Sequence, residues 1–389
     1  MPMHASAIPA SRIVVIMPNW LGDGVMATPF LRALRSLYPD AHIAAVTRPL
    51  VAPVLAGLSC INDTFITKKG EESQAHSWLK QNHFDLGISL PNSFRAAWLL
   101  WRGGVKRRLG YAREYRGCLL TDRIRPILRT AEQCDLDTRK AAAITAVSRE
   151  LKHPATASVG SKFQPVSTIE YYLKLAEYLG APADADKHMQ LAITDAERTE
   201  ADAILNSELG ILNSRFVVFV PGANFGSSKC WPPERFAEVA RRLITERHVH
   251  VLLASSPAEL PIIEAILHHA FQNPELRIQN SLHALAKLNG GKGVSLGALK
   301  DIVRRSTLML CNDTGPRHFA AAFDIPCVTL FGPTDPVWAE TWHPKEKIVR
   351  IDVPCGPCQL KKCPIDHRCM NGIDVDMVIQ AVASLWPSE

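Results

Sequence analysis

The sequence predicts an α/β chain of two doubly wound domains, each a parallel sheet flanked by helices. Three observations carry this expectation. Short apolar runs alternate with helix-period segments from end to end, as parallel strands joined by helical crossovers must. The alternation restarts near Arg215. The 389 residues exceed what one ordinary core serves, and a hydrophobic content of 47% is enough to fill two.

In chain order, RIVVIM, HIAAVT and FDLGISL read as strands of the first half, and RFVVFV, VHVLLA, TLMLC and PCVTLF as strands of the second. Helical periodicity falls between them at 28–37, 169–179, 233–245, 299–305 and 319–323. The stretch ATASVGSKFQP, residues 155–165, is small, polar and Gly/Pro-punctuated, and reads as a loop. ITDAERTEADAILNSELGI is a helix whose start has a Thr-x-x-Glu capping pattern, and it leads out of the first domain. DVDMVIQAVASLWP is an amphipathic terminal helix. These readings place the first domain at 1–187, the second at 188–372 with a cysteine-rich tail, and the terminal helix at 373–389, where it is expected to pack back on the first domain.

A formal net charge of +6 suits anionic ligands or an anionic membrane face. No RNP-like aromatic motif, zinc-finger spacing or basic zipper supports nucleic acid as a partner. The N-terminus MPMHASAIPASR lacks the charged and apolar regions of a secretion signal, and AAWLLW is too short to span a bilayer, so a cytoplasmic location is expected. Six of the ten cysteines are scattered singly (Cys60, Cys118, Cys134, Cys230, Cys311, Cys327), and four cluster near the end.

The first strand runs into NWLGDGVMATPFLRALR. Gly22-Asp23-Gly24-Val25-Met26-Ala27 fits the dinucleotide fingerprint G-x-G-x-x-A, which keeps an NADP-dependent oxidoreductase in view, with Arg48 available to a 2′-phosphate. Asp23 counts against it, because its carboxylate would face pyrophosphate at the helix N-terminus. As a functional group it makes better sense. Glycines on both sides admit a substrate closely, and a carboxylate at the strand's carboxyl end can accept a proton from an attacking hydroxyl. The competing structural reading is that Asp23 caps the following helix.

In the second half, PGANFGSSKCWPPERF, residues 221–236, sets Gly222, Ser227, Ser228 and Lys229 ahead of a helix start. Backbone N–H groups, hydroxyls and an ammonium there make an anion nest that needs no metal, with Lys229 at a leaving diphosphate. An ordinary βα loop with a surface lysine is the bland alternative. NDTGPRHFAAAF offers Asp313 or Thr314 as a helix cap, Gly315 for close approach and His318 near the first turn. No GK[ST] follows, so this is not a nucleoside triphosphatase loop. With the turn GPTDP, three strand ends converge on one nucleotide-sized site.

Together, PNWLGDGVMATPFLRAL, LPNSFRAAWLL, PGANFGSSKCWPPERFAEVARRL and NDTGPRHFAAAFDIPCVTLFGPTDP resemble the bacterial heptosyltransferases of the lipopolysaccharide inner core, glycosyltransferase family 9. LPNSF and PGANFG look most like the type II enzymes, which add the second heptose. The resemblance implies a GT-B fold, two Rossmann-like domains facing a central cleft, and inverting, metal-independent transfer from ADP-heptose. It implies an acceptor-binding first domain with Asp23 as base and a nucleotide-sugar-binding second domain. There Lys229 meets the phosphates, Asp313, Thr314, Gly315 and His318 bind the donor, and Glu259 binds the ribose. The implied acceptor is an anionic, lipid-linked oligosaccharide, and the enzyme is expected to make peripheral contact with the cytoplasmic face of the inner membrane. A relative using another nucleotide sugar or glycan is the alternative.

Basic residues are dense from Arg95 to Arg129: Arg95, Arg102, Lys106, Arg107, Arg108, Arg113, Arg116, Arg123, Arg125 and Arg129, against only Glu114 and Asp122. Such a run can hold acceptor carboxylates or phosphates. Gly22, Gly24, Asn92, Arg95, Arg113 and Arg116 are therefore candidate acceptor contacts. The segment AEQCDLDTRKAAAI, residues 131–144, is longer than the resemblance leads one to expect, and Ser255 stands where relatives often have glycine. In the tail, PCGPCQLKKCPIDHRC, the residues Cys355, Cys358, Cys363 and Cys369 are compatible with a structural zinc knuckle, with free thiols or with disulfides. No catalytic metal or other cofactor is expected.

Overall fold

The computed structural model describes residues 8–126, 166–272, 278, 280–291 and 293–387. The expected loop at 155–165, the segment 131–144 with Cys134, and Arg129 lie outside them. The described chain divides into two units: 8–126 with 166–192 and 337–342, and the described residues of 193–336 with 343–387.

In the first unit the strands are β1 (Arg12–Ile16), β2 (His42–Thr47), β3 (Asp63–Ile66), β4 (Leu86–Ser89), β5 (Arg107–Tyr111) and β6 (Asp122–Ile124). They form a sheet of order β3-β2-β1-β4-β5-β6, parallel throughout. The continuous apolar run of β1 follows from burial on both faces. Ile13 and Val15 pack with Phe30, Leu31 and Leu34 on one side, while Val14 and Ile16 meet Leu79, Phe84 and Leu100 on the other. The expected helix at 28–37 is present as Thr28–Leu37, with proline in its first turn.

The second unit holds β7 (Phe216–Val220), β8 (His250–Leu253), β9 (Leu282–Ala284), β10 (Leu308–Asn312), β11 (Cys327–Phe331) and β12 (Glu346–Arg350). Their order is β12-β11-β10-β7-β8-β9, again parallel. The α/β class with two Rossmann-like doubly wound sheets is thus borne out. Each sheet is wound outward from its middle in two directions, so each has a switch point where crossovers diverge and a crevice opens. It lies between β1 and β4 in the first unit and between β7 and β10 in the second.

The capping pattern at Thr194 is realised on the helix Asp195–Asp202: Glu197 N–H donates to Thr194 Oγ1 at 3.3 Å, and Thr194 N–H to Glu197 Oε2 at 2.9 Å. The terminal helix is present as Val375–Leu385. It buries Val378, Ala381 and Val382 in the second unit's core, and Arg242 pairs with its Asp376 at 2.7 Å. Its apolar face is therefore used up where it stands. Residues 337–342 belong to the first unit: Thr168 Oγ1 donates to Trp338 O at 2.8 Å and Ser167 Oγ to Glu340 O at 3.1 Å. Among the described residues no helix is long and apolar enough to cross a membrane.

Candidate active site

At the first switch point the chain leaves β1 and turns at once into a short helix, Leu21–Met26. The glycine segment is therefore helical rather than a turn, and Gly22 and Gly24 are buried within it. Gly24 is there for close approach: a Cβ would come within 2.5 Å of Val51 Cγ1. Asp23 stands in the first turn, partly exposed, but the N-cap is Trp20 and makes no side-chain cap bond, so the capping reading fails. The Asp23 charge is felt by buried Tyr172, whose phenol is pushed up first by burial and then by that carboxylate. Next to it, Tyr171 stacks on Tyr111 at 3.8 Å and donates its hydroxyl to Asn92 Oδ1 at 3.0 Å, just beyond β4.

The expected acceptor contacts divide. Arg116 is fully buried and donates to Tyr111 O and Ser89 Oγ at 2.9 Å, to Pro91 O, and to Asn92 Oδ1 at 3.3 Å. Burial lowers its pKa to about 10. Its donors hold the loop after β4, and it offers no exposed surface to a ligand. Arg113 hydrogen-bonds the Tyr171 hydroxyl. Much of the remaining basic run is scaffold too: Arg107 chelates Asp122, Lys106 meets Asp85 at 3.3 Å, and Arg108 donates to Leu119 O and Val105 O at 2.6 and 2.7 Å. Arg95 is different. Half-exposed and paired with Glu72, it lines an open cavity of about 390 Å³ with Asn19, Arg48, Pro49, Lys68 and Lys69. Sequence reasoning missed Lys68 and Lys69, and weighed Arg48 only for a dinucleotide. The available signal was position, since all three cations fall directly after strands β2 and β3.

At the second switch point, Lys229 and Asp313 meet across the gap between the β7 and β10 loops. Lys229 Nζ lies 2.5 Å from Asp313 Oδ2 and 3.2 Å from its carbonyl oxygen. Thr334 Oγ1, from the GPTDP turn, donates to the same carboxylate at 2.7 Å, and Arg317 stands 3.5 Å away while pairing with Glu346 at 2.7 Å. Burial opposes ionisation of Asp313, yet Lys229 and Arg317 outweigh it and hold the carboxyl below its ordinary range. Two of the three ammonium protons go to Asp313, and the Phe225 ring lies 4.8 Å from Nζ. His318 is buried, its Nδ1 makes no hydrogen bond among the described residues, and burial followed by Arg317 lowers its pKa to about 3. It is neutral near pH 7, with a polar atom awaiting a partner.

Thr314 and Gly315 form the turn into the helix Arg317–Ala322. The expected cap is absent, because Pro316 holds the N-cap position. Asn312 clamps the two loops, accepting from Trp231 N–H at 3.2 Å and donating to Pro221 O at 2.5 Å. Glu259 lies against Gly222, where any Cβ would collide with the carboxylate. Its Oε2 accepts from Ser256 N–H and Oγ at 2.8 and 2.7 Å, and Oε1 takes no hydrogen bond among the described residues. Ser227 is exposed. Ser228 is not in the nest: its Oγ donates to Leu360 O at 2.5 Å and its N–H to Lys361 O at 3.2 Å.

These bonds make the cysteine-rich tail a buttress for the lysine loop. Gly226 is required there because a side chain would run into Lys361 O. Cys355, Cys358, Cys363 and Cys369 line one enclosed cavity of about 20 Å³ and are all free thiols. Burial, with the neighbouring thiols adding to it, raises Cys369 to about 12. Among the described residues no three His, Cys, Asp or Glu side chains are arranged to hold a metal ion.

The profile of glycosyltransferase family 9 (heptosyltransferase) matches residues 74–368. Lipopolysaccharide heptosyltransferase 2 of Salmonella typhimurium is 25% identical over 348 residues, covering 87% of this chain and 88% of the relative. Lipooligosaccharide heptosyltransferase 2 of Haemophilus ducreyi is 26% identical over 96% of this chain and 99% of its own. The solved structure of the ADP-heptose LPS heptosyltransferase II of E. coli superposes with a TM-score of 0.72 at 25% identity, over 96% of this chain and 98% of that one. The oxidoreductase reading does not survive: the chain belongs to glycosyltransferase family 9, the heptosyltransferases.

Proposed function

We propose that this enzyme moves heptose from ADP-heptose to the inner core of lipopolysaccharide, adding the second heptose with inversion and without a catalytic metal. The second switch point carries the reading: an ammonium fixed by Asp313, a neutral buried imidazole beside it and an available Glu259 oxygen suit a diphosphate and a ribose. The type II relatives, at 25% and 26% identity, support the second-heptose assignment and the donor.

In this reading Asp23 takes the proton of the acceptor hydroxyl as that oxygen bonds to the anomeric carbon. The bond from that carbon to the diphosphate oxygen breaks, and ADP leaves with its charge against Lys229. An aspartate is a weak base towards an alcohol. It suffices when proton transfer is late, after the attacking oxygen has become acidic. The acceptor is an anionic, lipid-linked oligosaccharide, and Arg48, Lys68, Lys69 and Arg95 form the cavity best suited to its phosphates or carboxylates.

Mass spectrometry of the acceptor after incubation with a panel of nucleotide sugars tests this. A gain of one heptose from ADP-heptose on a heptose-primed Kdo-lipid, absent with Asp23→Ala, is the expected result. Transfer from another donor would assign the chain to a different branch of the family.

A further inference from the structure

The helix Phe94–Arg102, which follows β4, is apolar on both sides. Ala96, Ala97 and Leu100 are buried beneath it, whereas Phe94, Trp98 and Trp101, at positions i, i+4 and i+7, are 45%, 37% and 45% exposed. Their rings make one continuous strip, with centroids 6.1 Å apart for Phe94 and Trp98 and 4.8 Å for Trp98 and Trp101. A surface helix of a globular protein ordinarily turns polar residues to this side. Three large aromatics in line are costly in water and need a cover.

Cations stand at both ends of the strip. Arg95 opens onto the cavity lined by Arg48, Lys68 and Lys69. At the other end Arg102 and Lys80 both act on His76, whose pKa is lowered first by burial and then by these two charges. Two carboxylates oppose the cations at the cavity end: Glu72 pairs with Arg95 and stands 3.7 Å from Arg48, and Glu71 accepts from Lys68 N–H. The face therefore stays positive. Tryptophan flanked by arginine and lysine is the side-chain chemistry of a bilayer interface, where rings sit at headgroup depth and cations reach lipid phosphates. A second copy of this chain would bring the same positive charge against it, which disfavours self-association through this face.

We infer that the Phe94–Trp98–Trp101 strip and its flanking cations seat the enzyme on an anionic bilayer surface. The inference extends the lipid-linked acceptor proposed above. Its test uses neither donor nor acceptor, so failure here leaves the transfer reading standing.

The experiment is co-sedimentation of the full chain with phosphatidylethanolamine–phosphatidylglycerol vesicles, against vesicles of phosphatidylcholine alone, with quenching of tryptophan emission by brominated acyl chains. Wild type is expected to bind the anionic vesicles and be quenched. Trp98→Ser/Trp101→Ser, with an unchanged melting temperature, loses at least about tenfold in partitioning and most of the quenching. Arg102→Glu, which leaves the rings in place, weakens binding in a salt-dependent way. The inference is overturned if wild type ignores anionic vesicles at low salt, or if the double variant binds as wild type does. A wild-type dimer that the double variant dissociates in sedimentation velocity would also overturn it.

Discussion

The two switch points share one topology and are built with opposite electrostatics. In the first unit, charge is either consumed by the scaffold, as with Arg116 and Arg107, or left open to solvent at Arg48, Lys68, Lys69 and Arg95. In the second unit, Lys229, Asp313, Arg317 and Glu346 form a buried, internally balanced cluster. The difference teaches what each site is for. A largely buried lysine without a partner is costly, so Asp313 offsets the burial of Lys229 and fixes its direction. An open rim of cations holds no such geometry and suits a bulky anionic partner that exchanges with water.

The largest effect that would sharpen this contrast is expected at Asp23. Asp23→Ala should lower kcat by about 10²–10⁴-fold, with ADP affinity unchanged, in steady-state assays beside direct ADP titration. Next comes Lys229→Ala, expected to lower kcat/KM by about 10²-fold, because it removes the ammonium from the developing diphosphate. Arg116→Met tests the scaffold assignment. By denaturant titration it should cost about 3 kcal/mol, since Ser89, Pro91 and Tyr111 lose a buried donor, while kcat per folded molecule stays near wild type. An acceptor role for Arg116 would instead show as a raised KM in a variant of normal stability.

The pH dependence gives a fourth test. His318 titrates near 3 in the folded enzyme and near its ordinary value when unfolded, so the unfolded state takes up the proton first. Its contribution is complete above the unfolded value and is lost as pH falls towards 3, by at most about 1.4 kcal/mol per pH unit. His318→Gln should flatten that part of the stability curve. The smallest effect is expected from Gly222→Ala. The new methyl displaces the flexible Glu259 carboxylate, so donor KM should rise by about 3- to 10-fold with little change in melting temperature.

Legibility in the sequence followed burial. RIVVIM, RFVVFV and TLMLC announced β1, β7 and β10 because those strands are buried on both faces and read as unbroken apolar runs. Strands β3, β5, β6, β9 and β12 were missed: Asp63–Ile66 is exposed at both ends, Asp122–Ile124 and Leu282–Ala284 are only 3 residues long, and Arg107–Tyr111 and Glu346–Arg350 carry charged residues. The same run RRLGY was read as part of a ligand-binding patch, when Arg107 and Arg108 serve their own chain. Charge density in one dimension does not show where guanidinium donors go. The Lys229–Asp313 pair was visible only as two separate motifs, since 84 residues separate them and it is sheet order that brings them together. Ser228 was placed with the anion nest because its partners, Leu360 and Lys361, lie 132 and 133 residues downstream in a tail whose docking has no local signature.

The division of labour between the switch points is tested most directly by calorimetric titration of ADP into wild type, Asp23→Ala and Lys229→Ala. The account predicts that Asp23→Ala binds ADP as wild type does and that Lys229→Ala binds it at least about tenfold more weakly. Loss of ADP binding in Asp23→Ala, with Lys229→Ala unaffected, would place the nucleotide on the first unit and contradict the account.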